Sequence, residues 1–152
     1  MPQTRKMNVL FLCTGNSCRS QMAEGWARRL LADRCVAYSA GITAKGLDPR
    51  AVEAMRRAGV DISRQRSQTI AELPKIAFDI VVTVCDNARE SCPILPGVAV
   101  SIHHSFDDPP HLVHGMTDDQ AMIVYGRVRD QIRDFVQAMP AYFDRLSEAE
   151  AR

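Results

Sequence analysis

A cysteine and an arginine, separated by five residues, follow a short apolar run in the stretch Cys13-Thr14-Gly15-Asn16-Ser17-Cys18-Arg19-Ser20. The small residues between them allow successive backbone N–H groups to curve around an anion, and a helix that begins here directs its positive end to the same point. The guanidinium of Arg19 can bind two oxygens of a tetrahedral oxyanion at once. The same groups stabilise the thiolate of Cys13, which is the nucleophilic form. We predict an anion-binding loop around a nucleophilic cysteine; the alternative is a tight turn with a buried thiol.

A second cysteine, Cys85, follows the apolar run 80–84, so it also stands at the C-terminal end of a predicted strand. In open α/β sheets, ligands bind just beyond such strand ends. If the strands that precede Cys13 and Cys85 are neighbours, their ends lie about 5 Å apart. A disulfide requires a Cα separation of about 4.4 to 6.8 Å. The sequence therefore permits a disulfide between these two cysteines.

A third cysteine, Cys92, stands seven residues beyond Cys85 and directly before Pro93. If the segment between them is helical, the two Cα atoms lie about 10 Å apart, and a disulfide requires the helix to unwind. The Asp, Asn and Ser residues of this segment weaken a helix, so we interpret its instability as functional. The alternative is a small capped helix with an incidental thiol. Cys18 and Cys35 are predicted to be buried structural thiols.

Two adjacent carboxylates, Asp107 and Asp108, precede Pro109 in a long polar stretch. A reaction that expels an oxygen from a tetrahedral centre needs a general acid opposite the nucleophile. Asp108 is the better candidate because Pro109 restricts its backbone, whereas Asp107 is predicted to be solvated or to stabilise the loop. No metal site is predicted, since the spacing of the histidines matches no strong ligand pattern: His103, His104, His111 and His114.

Short β-branched runs alternate with helical patterns, which indicates βαβ units around a parallel sheet. The predicted strands cover residues 8–12, 36–39, 79–84 and 98–102. Helices are predicted after the anion loop, from Asp48-Pro49 to Gly59, briefly over 69–73, and from a capping box at Thr117 to Pro140, with a further turn or two over 142–146. Residues 107–116 are predicted to be irregular.

The size of the chain, 152 residues, fits one domain over residues 1–152. A formal net charge of +1 without a basic block argues against nucleic-acid or membrane-surface binding. The early apolar run is too short for a signal peptide or membrane span, so we expect a cytoplasmic location. Five cysteines without a secretion signal indicate reactive or metal-binding thiols rather than a disulfide framework.

These stretches resemble those of the thioredoxin-coupled arsenate reductases, which are built on the low-molecular-weight protein tyrosine phosphatase fold. The shared motifs are CTGNSCRSQMAEGW from Cys13, YSAGI from Tyr38, VVT with Cys85 two residues on, CPILP from Cys92 and FDDP from Phe106. The resemblance implies an α/β fold with a four-stranded parallel sheet in the order 2-1-3-4, flanked by helices. In that order the first and third strands are neighbours.

The resemblance also implies a role for each matching residue. The catalytic residues would be Cys13 as nucleophile, Arg19 as oxyanion clamp, Ser20 as hydrogen-bond donor to the Cys13 thiolate, Asp108 as general acid, and Cys85 and Cys92 as resolving cysteines. The substrate-binding residues would be Thr14, Gly15, Asn16, Ser17, Cys18 and Arg19. The implied reaction is reduction of arsenate to arsenite by a three-cysteine relay, in arsenic detoxification, with phosphate or sulfate as substrate analogues. The partner would be thioredoxin as external reductant, with no tightly bound cofactor, and we expect a monomer.

Some members of this family bind potassium near the anion loop through residues that match Asn16, Glu24 and Ser39. The carboxylate expected around position 68 is Gln68 here. The segment 111–116 also departs from the shorter loop that is usual in the family.

One alternative function is that of a low-molecular-weight protein tyrosine phosphatase, in which the same loop would form a phosphocysteine intermediate. Such phosphatases usually carry a pair of tyrosines where this chain has Pro110 and His111, and they do not need Cys85 and Cys92. An alternative of another class is a non-catalytic thiol sensor or soft-metal binder, which would use the three cysteines but needs no arginine clamp or general acid.

Overall fold

A four-stranded parallel sheet in the order β2-β1-β3-β4 forms the centre of the computed structural model, which describes residues 5–91, 95 and 97–151. The strands are β1 (Met7–Cys13), β2 (Cys35–Gly41), β3 (Ile80–Thr83) and β4 (Val100–His103). The predicted α/β fold and its strand order 2-1-3-4 are confirmed.

The central strand β1 is buried almost throughout because helices cover both faces of the sheet. Its end is aligned with the ends of both neighbours, since Cys13 pairs with Gly41 of β2 and Leu12 pairs with Thr83 of β3. The carboxyl ends of these three strands therefore meet at one edge, and the loops that leave them share that edge.

Within the described residues, six helices surround the sheet, and several of them begin at a cap or a proline. They are α1 (Arg19–Leu30), α2 (Pro49–Arg57), α3 (Asp86–Ser91), α4 (Pro109–Leu112), α5 (Asp118–Gln137) and α6 (Pro140–Glu150), with a 3₁₀ turn at Ile70–Glu72. The side chain of Asp48 caps α2 by accepting the N–H of Arg50 at 2.9 Å. The predicted capping box begins α5, where Thr117 and Gln120 bond each other's backbone N–H groups.

The secondary structure differs from the prediction at two prolines, Pro109 and Pro140. The stretch 107–116 is not wholly irregular, because Pro109 begins the short helix α4. Pro140 follows the end of α5 as expected, but it also begins α6, which runs for 11 residues rather than a turn or two. Both differences have one cause: proline is favoured in the first turn of a helix, where its missing N–H has no partner to lose.

Side chains of α1 and α5 close the core on one side of the sheet. The indole N–H of Trp26 on α1 donates to the carbonyl oxygen of Arg129 on α5 at 3.1 Å, which satisfies the one polar atom of a buried ring. Over the described ranges, no helix combines the length and apolar character that crossing a bilayer requires.

Candidate active site

The anion loop joins the end of β1 at Cys13 to the start of α1 at Arg19. Its turn depends on Asn16, which is fully buried and has a positive φ of 46°; asparagine tolerates this left-handed conformation better than most residues. The side-chain oxygen of Asn16 accepts the backbone N–H of Gln68 at 2.8 Å and the amide of Gln21 at 3.1 Å, and its amide donates to Ser20 at 2.8 Å. These bonds hold the loop in one conformation.

A second layer of backbone holds the outside of the loop. Four N–H groups donate to loop carbonyl oxygens: Ile42 to Cys13 at 3.3 Å, Thr43 to Thr14 at 2.9 Å, Lys45 to Gly15 at 2.9 Å and Asp48 to Ser17 at 3.0 Å. Because C=O and N–H point in opposite directions across a trans peptide, outward carbonyls turn the following N–H groups inward. The loop is therefore prepared to bind an anion.

Arg19 is buried at the floor of the loop. Its Nη1 donates to the carbonyl oxygen of Phe106 at 3.1 Å, and its Nη2 lies 3.6 Å from Oδ1 of Asp108. Its Nε is buried and has no hydrogen-bond partner among the described residues. A buried donor left unpaired costs about 1–3 kcal/mol, and more when it is charged. An oxyanion in the loop would supply the missing acceptor.

The two adjacent carboxylates face different partners. Asp108 precedes α4, makes no capping bond, and has its side chain 43% exposed beside Arg19. Asp107 instead pairs with Arg127 on α5 at 3.2 Å. Asp108 is thus available at the mouth of the loop, while Asp107 ties the segment to α5.

Cys13 and Cys85 lie side by side because β1 and β3 are paired up to Leu12 and Thr83. The N–H of Val84 donates to the carbonyl oxygen of Leu12 at 2.9 Å and continues the pairing towards the cysteines. Both thiols are buried, and they are close enough for their proton equilibria to be coupled. The structure therefore places Cys13 and Cys85 next to each other, as the sequence predicted.

The two thiols titrate as a pair that shares one proton. The hydrogen bond to Cys85, together with burial, raises the pKa of Cys13 well above the usual range. The same bond lowers the pKa of Cys85 to about 5, helped by the Thr14 hydroxyl at 3.3 Å and the Ala88 N–H at 3.4 Å. At neutral pH the pair therefore carries one negative charge.

The other cysteines have different surroundings. Cys18 and Cys35 are both buried, and burial raises the pKa of Cys18 and raises the pKa of Cys35 to about 11. Both thiols stay protonated at neutral pH, as structural thiols do. Cys92 lies outside the described residues, directly after α3, so its role as a resolving cysteine stays a prediction. The bond predicted from Ser20 to the Cys13 thiolate also stays a prediction; the Ser20 oxygen accepts from Asn16.

The residues matched to a potassium site do not fit a cation. The side-chain oxygen of Asn16 already accepts two N–H groups. The carboxylate of Glu24 accepts the hydroxyl of Ser39 at 2.7 Å and pairs with Arg28 at 2.7 Å. The amide of Gln68 donates to the carbonyl oxygen of Ser39 at 3.1 Å, so it presents a proton where a ligand oxygen is needed.

The sequence did not predict one polar cluster beside Cys85. The ring of His103 on β4 lies 2.8 Å from the hydroxyl of Thr83 and 2.9 Å from the carboxylate of Asp86. It joins the first residue of α3 to the sheet. His103 is 17 residues from Asp86 and 20 residues from Thr83 in the chain. No local sequence pattern signals a contact over such separations.

The fold and loop agree with what comparison with known proteins finds. The family model described as low molecular weight phosphotyrosine protein phosphatase matches residues 8–139, so the chain belongs to that family. Among its relatives, an arsenate reductase of Halalkalibacterium halodurans is 49% identical over 127 residues, which cover 84% of this chain and 90% of the relative. An arsenate reductase of Bacillus subtilis is 48% identical over 124 residues, covering 82% and 88%.

Solved structures similar to this chain include both arsenate reductases and low molecular weight phosphatases. One described as an arsenate reductase in the phosphate binding state has a TM-score of 0.73 and 30% identity, covering 90% of this chain and 98% of that one. A low molecular weight protein tyrosine phosphatase from T. tengcongensis has a TM-score of 0.70 and 25% identity, covering 90% and 99%. Both activities thus occur on this fold.

Proposed function

We propose that the protein reduces arsenate to arsenite by passing oxidation from one thiol to the next, and that a thioredoxin-type dithiol regenerates it. The observation that carries this proposal is that Cys13 and Cys85 lie side by side and buried beside the anion loop, at the ends of the paired strands β1 and β3. A phosphatase of this family needs only the first of these thiols, whereas a disulfide needs both. Relatives at 48–49% identity that are named arsenate reductases support the same choice.

The first step joins sulfur to arsenic. Arsenate binds in the loop with its oxygens on the inward N–H groups and on Arg19, whose Nε gains an acceptor. The Cys13 thiol gives its proton to Asp108, and its sulfur attacks arsenic and forms an S–As bond. Asp108 gives a proton to the departing oxygen, which leaves as water. Arsenic remains pentavalent at this stage.

The second step transfers the electrons. The Cys85 thiolate attacks the Cys13 sulfur, an S–S bond forms, and the S–As bond breaks with its electron pair left on arsenic. Arsenic is thereby reduced from the pentavalent to the trivalent state, and two thiolates are oxidised to one disulfide. The lowered pKa of Cys85 supports its role as this nucleophile, because the thiolate is present at neutral pH.

The third step would move the disulfide to Cys85 and Cys92. The Cys92 thiolate attacks Cys85, the 13–85 bond breaks, and Cys13 leaves as a thiolate ready for another cycle. α3, Asp86–Ser91, separates these two cysteines and would have to open. It has only six residues, and short helices are weak in isolation, which supports this step. An external dithiol then reduces the 85–92 disulfide.

The test is steady-state reduction of arsenate in the presence of thioredoxin, its reductase and NADPH. We expect Cys13→Ser, Cys85→Ser and Cys92→Ser each to abolish multiple turnover. The matched control is Cys35→Ser, which removes a buried thiol of the β2 strand and should keep its activity. Full steady-state activity of Cys85→Ser would overturn the relay.

A phosphatase is the second candidate, favoured by the shared loop and by the likeness to the T. tengcongensis enzyme. It predicts steady hydrolysis of an aryl phosphate that needs Cys13 but not Cys85. Comparing Cys85→Ser with the unchanged protein in both assays separates the two functions.

A further inference from the structure

Lys45 lies against the outside of the anion loop. Its N–H donates to the carbonyl oxygen of Gly15 at 2.9 Å. A Cβ on Gly15 would lie 2.8 Å from Cδ of Lys45 and 3.0 Å from its Cγ, so the methylene stem covers the glycine. Position 15 therefore has no room for a larger side chain unless Lys45 moves. The contact holds the lysine stem against the loop, which restricts where its ammonium group can go.

Lys45 lines a cavity next to the anion loop, and no carboxylate of the described residues neutralises its ammonium group there. A cavity of about 730 Å³ beside the loop is lined by Lys45, Ser17, Asp48 and Arg50, among others. Asp48 accepts the hydroxyl of Tyr125 at 2.6 Å, and Arg50 pairs with Asp118 at 2.6 Å. Lys45 forms no salt bridge with the carboxylates of the residues that the structure describes.

From this placement we infer that Lys45 is a second cationic residue of the anion site, which attracts tetrahedral dianions to the loop and raises the affinity for them. Arg19 at the floor is already close to the Asp108 carboxylate, at 3.6 Å, so a dianion is not fully balanced by Arg19 alone. Lys45 is exposed, so its attraction acts through water and is screened by salt, over a Debye length of about 10 Å at 0.1 M. The inference deepens the proposed function and rests on it only for the choice of arsenate.

The test compares Lys45→Met with Lys45→Arg. Methionine keeps an unbranched stem over Gly15 and removes the charge, while arginine keeps the charge. For Lys45→Met we expect KM for arsenate to rise about three- to tenfold at low salt, because the substitution removes a charge that attracts the dianion and keeps the stem over Gly15. kcat should stay within about twofold, and the difference in KM should shrink as salt approaches about 1 M. Lys45→Arg should match the unchanged protein. Lys75→Met, which removes an exposed lysine distant in the sequence, is the matched control.

The dissociation constant of inorganic phosphate, from ³¹P NMR line broadening, tests the inference without any turnover. It should rise in Lys45→Met by the same factor as KM and fall back towards the unchanged value with salt. If phosphate binds equally to both proteins at low salt, or if Lys45→Arg is as weak as Lys45→Met, the inference is wrong. If the protein fails to reduce arsenate but phosphate binding depends on Lys45, the proposed function fails and this inference stands.

Discussion

The hydroxyl of Thr14 lies 3.3 Å from the sulfur of Cys85, across the gap between β1 and β3. The side-chain amide of Asn87 donates to that hydroxyl oxygen at 3.2 Å. When Cys85 is a thiolate it can only accept, so the hydroxyl proton of Thr14 is donated to the sulfur. A side chain of the anion loop thus stabilises the thiolate of the second cysteine, and the two parts of the site are directly connected.

Thr14→Val should weaken the second step because it removes the donor and keeps the branched shape. A hydrogen bond to a charged group contributes about 1.5–3 kcal/mol, so the pKa of Cys85 should rise by about one to two units. Arsenite release at neutral pH should slow accordingly. The measurements are ultraviolet titration of the thiolate and single-turnover arsenite release. Thr43→Val is the control, since the Thr43 hydroxyl donates to the carbonyl oxygen of Thr14, at 3.4 Å, rather than to the Cys85 sulfur. An unchanged Cys85 pKa in Thr14→Val would contradict the assignment.

The rate of arsenite release should depend on pH through the lowered pKa of Cys85. The reactive form is the thiolate, which predominates above its pKa of about 5. The rate of this step should therefore stay level as pH falls to about 6 and then decrease through about 5, as the sulfur takes up a proton. Cys13→Ala removes the S–H donor, so the Cys85 pKa should rise, which titration of that variant can measure. A Cys85 pKa that stays near that of a free cysteine in the unchanged protein would contradict the shared proton.

Asp108→Asn should lower kcat for arsenate, because the amide cannot give a proton to the departing oxygen. General acid catalysis contributes about 10²- to 10⁴-fold. Asp107→Asn is a close control, since it changes the neighbouring residue, whose carboxylate pairs with Arg127 instead. Equal losses in the two variants, by steady-state kinetics, would show that neither carboxylate is the specific acid.

Exchanging potassium for sodium at constant ionic strength should leave kcat/KM unchanged. The Gln68 amide and the Arg28 guanidinium already occupy the positions next to Ser39 and Glu24. An N–H donor next to Ser39 or Glu24 repels a cation and cannot coordinate it. The measurement is steady-state kinetics in each salt, with phosphate-free buffer. A clear activation by potassium would mean that Gln68 or Arg28 moves aside to form a site.

The sequence was sufficient for the parts of the site that follow the chain locally. The apolar run before Cys13, the spacing to Arg19 and the strand before Cys85 predicted an anion loop and a thiol pair at one sheet edge. The orientation of Thr14 was not predictable, because its partner is 71 residues away and depends on the register of β1 with β3. The sequence signalled Gln68 only as a missing carboxylate, since its bond to Ser39 requires the folded loop.

The most direct measurement of the thiol relay is one cycle of the Cys92→Ser variant. Fully reduced Cys92→Ser is mixed with excess arsenate without thioredoxin, then quenched in acid and mapped by peptide mass spectrometry. The relay predicts one arsenite per protein and a disulfide that joins the peptides of Cys13 and Cys85. Arsenite formed without that disulfide, or no arsenite at all from a protein that still binds phosphate, would contradict it.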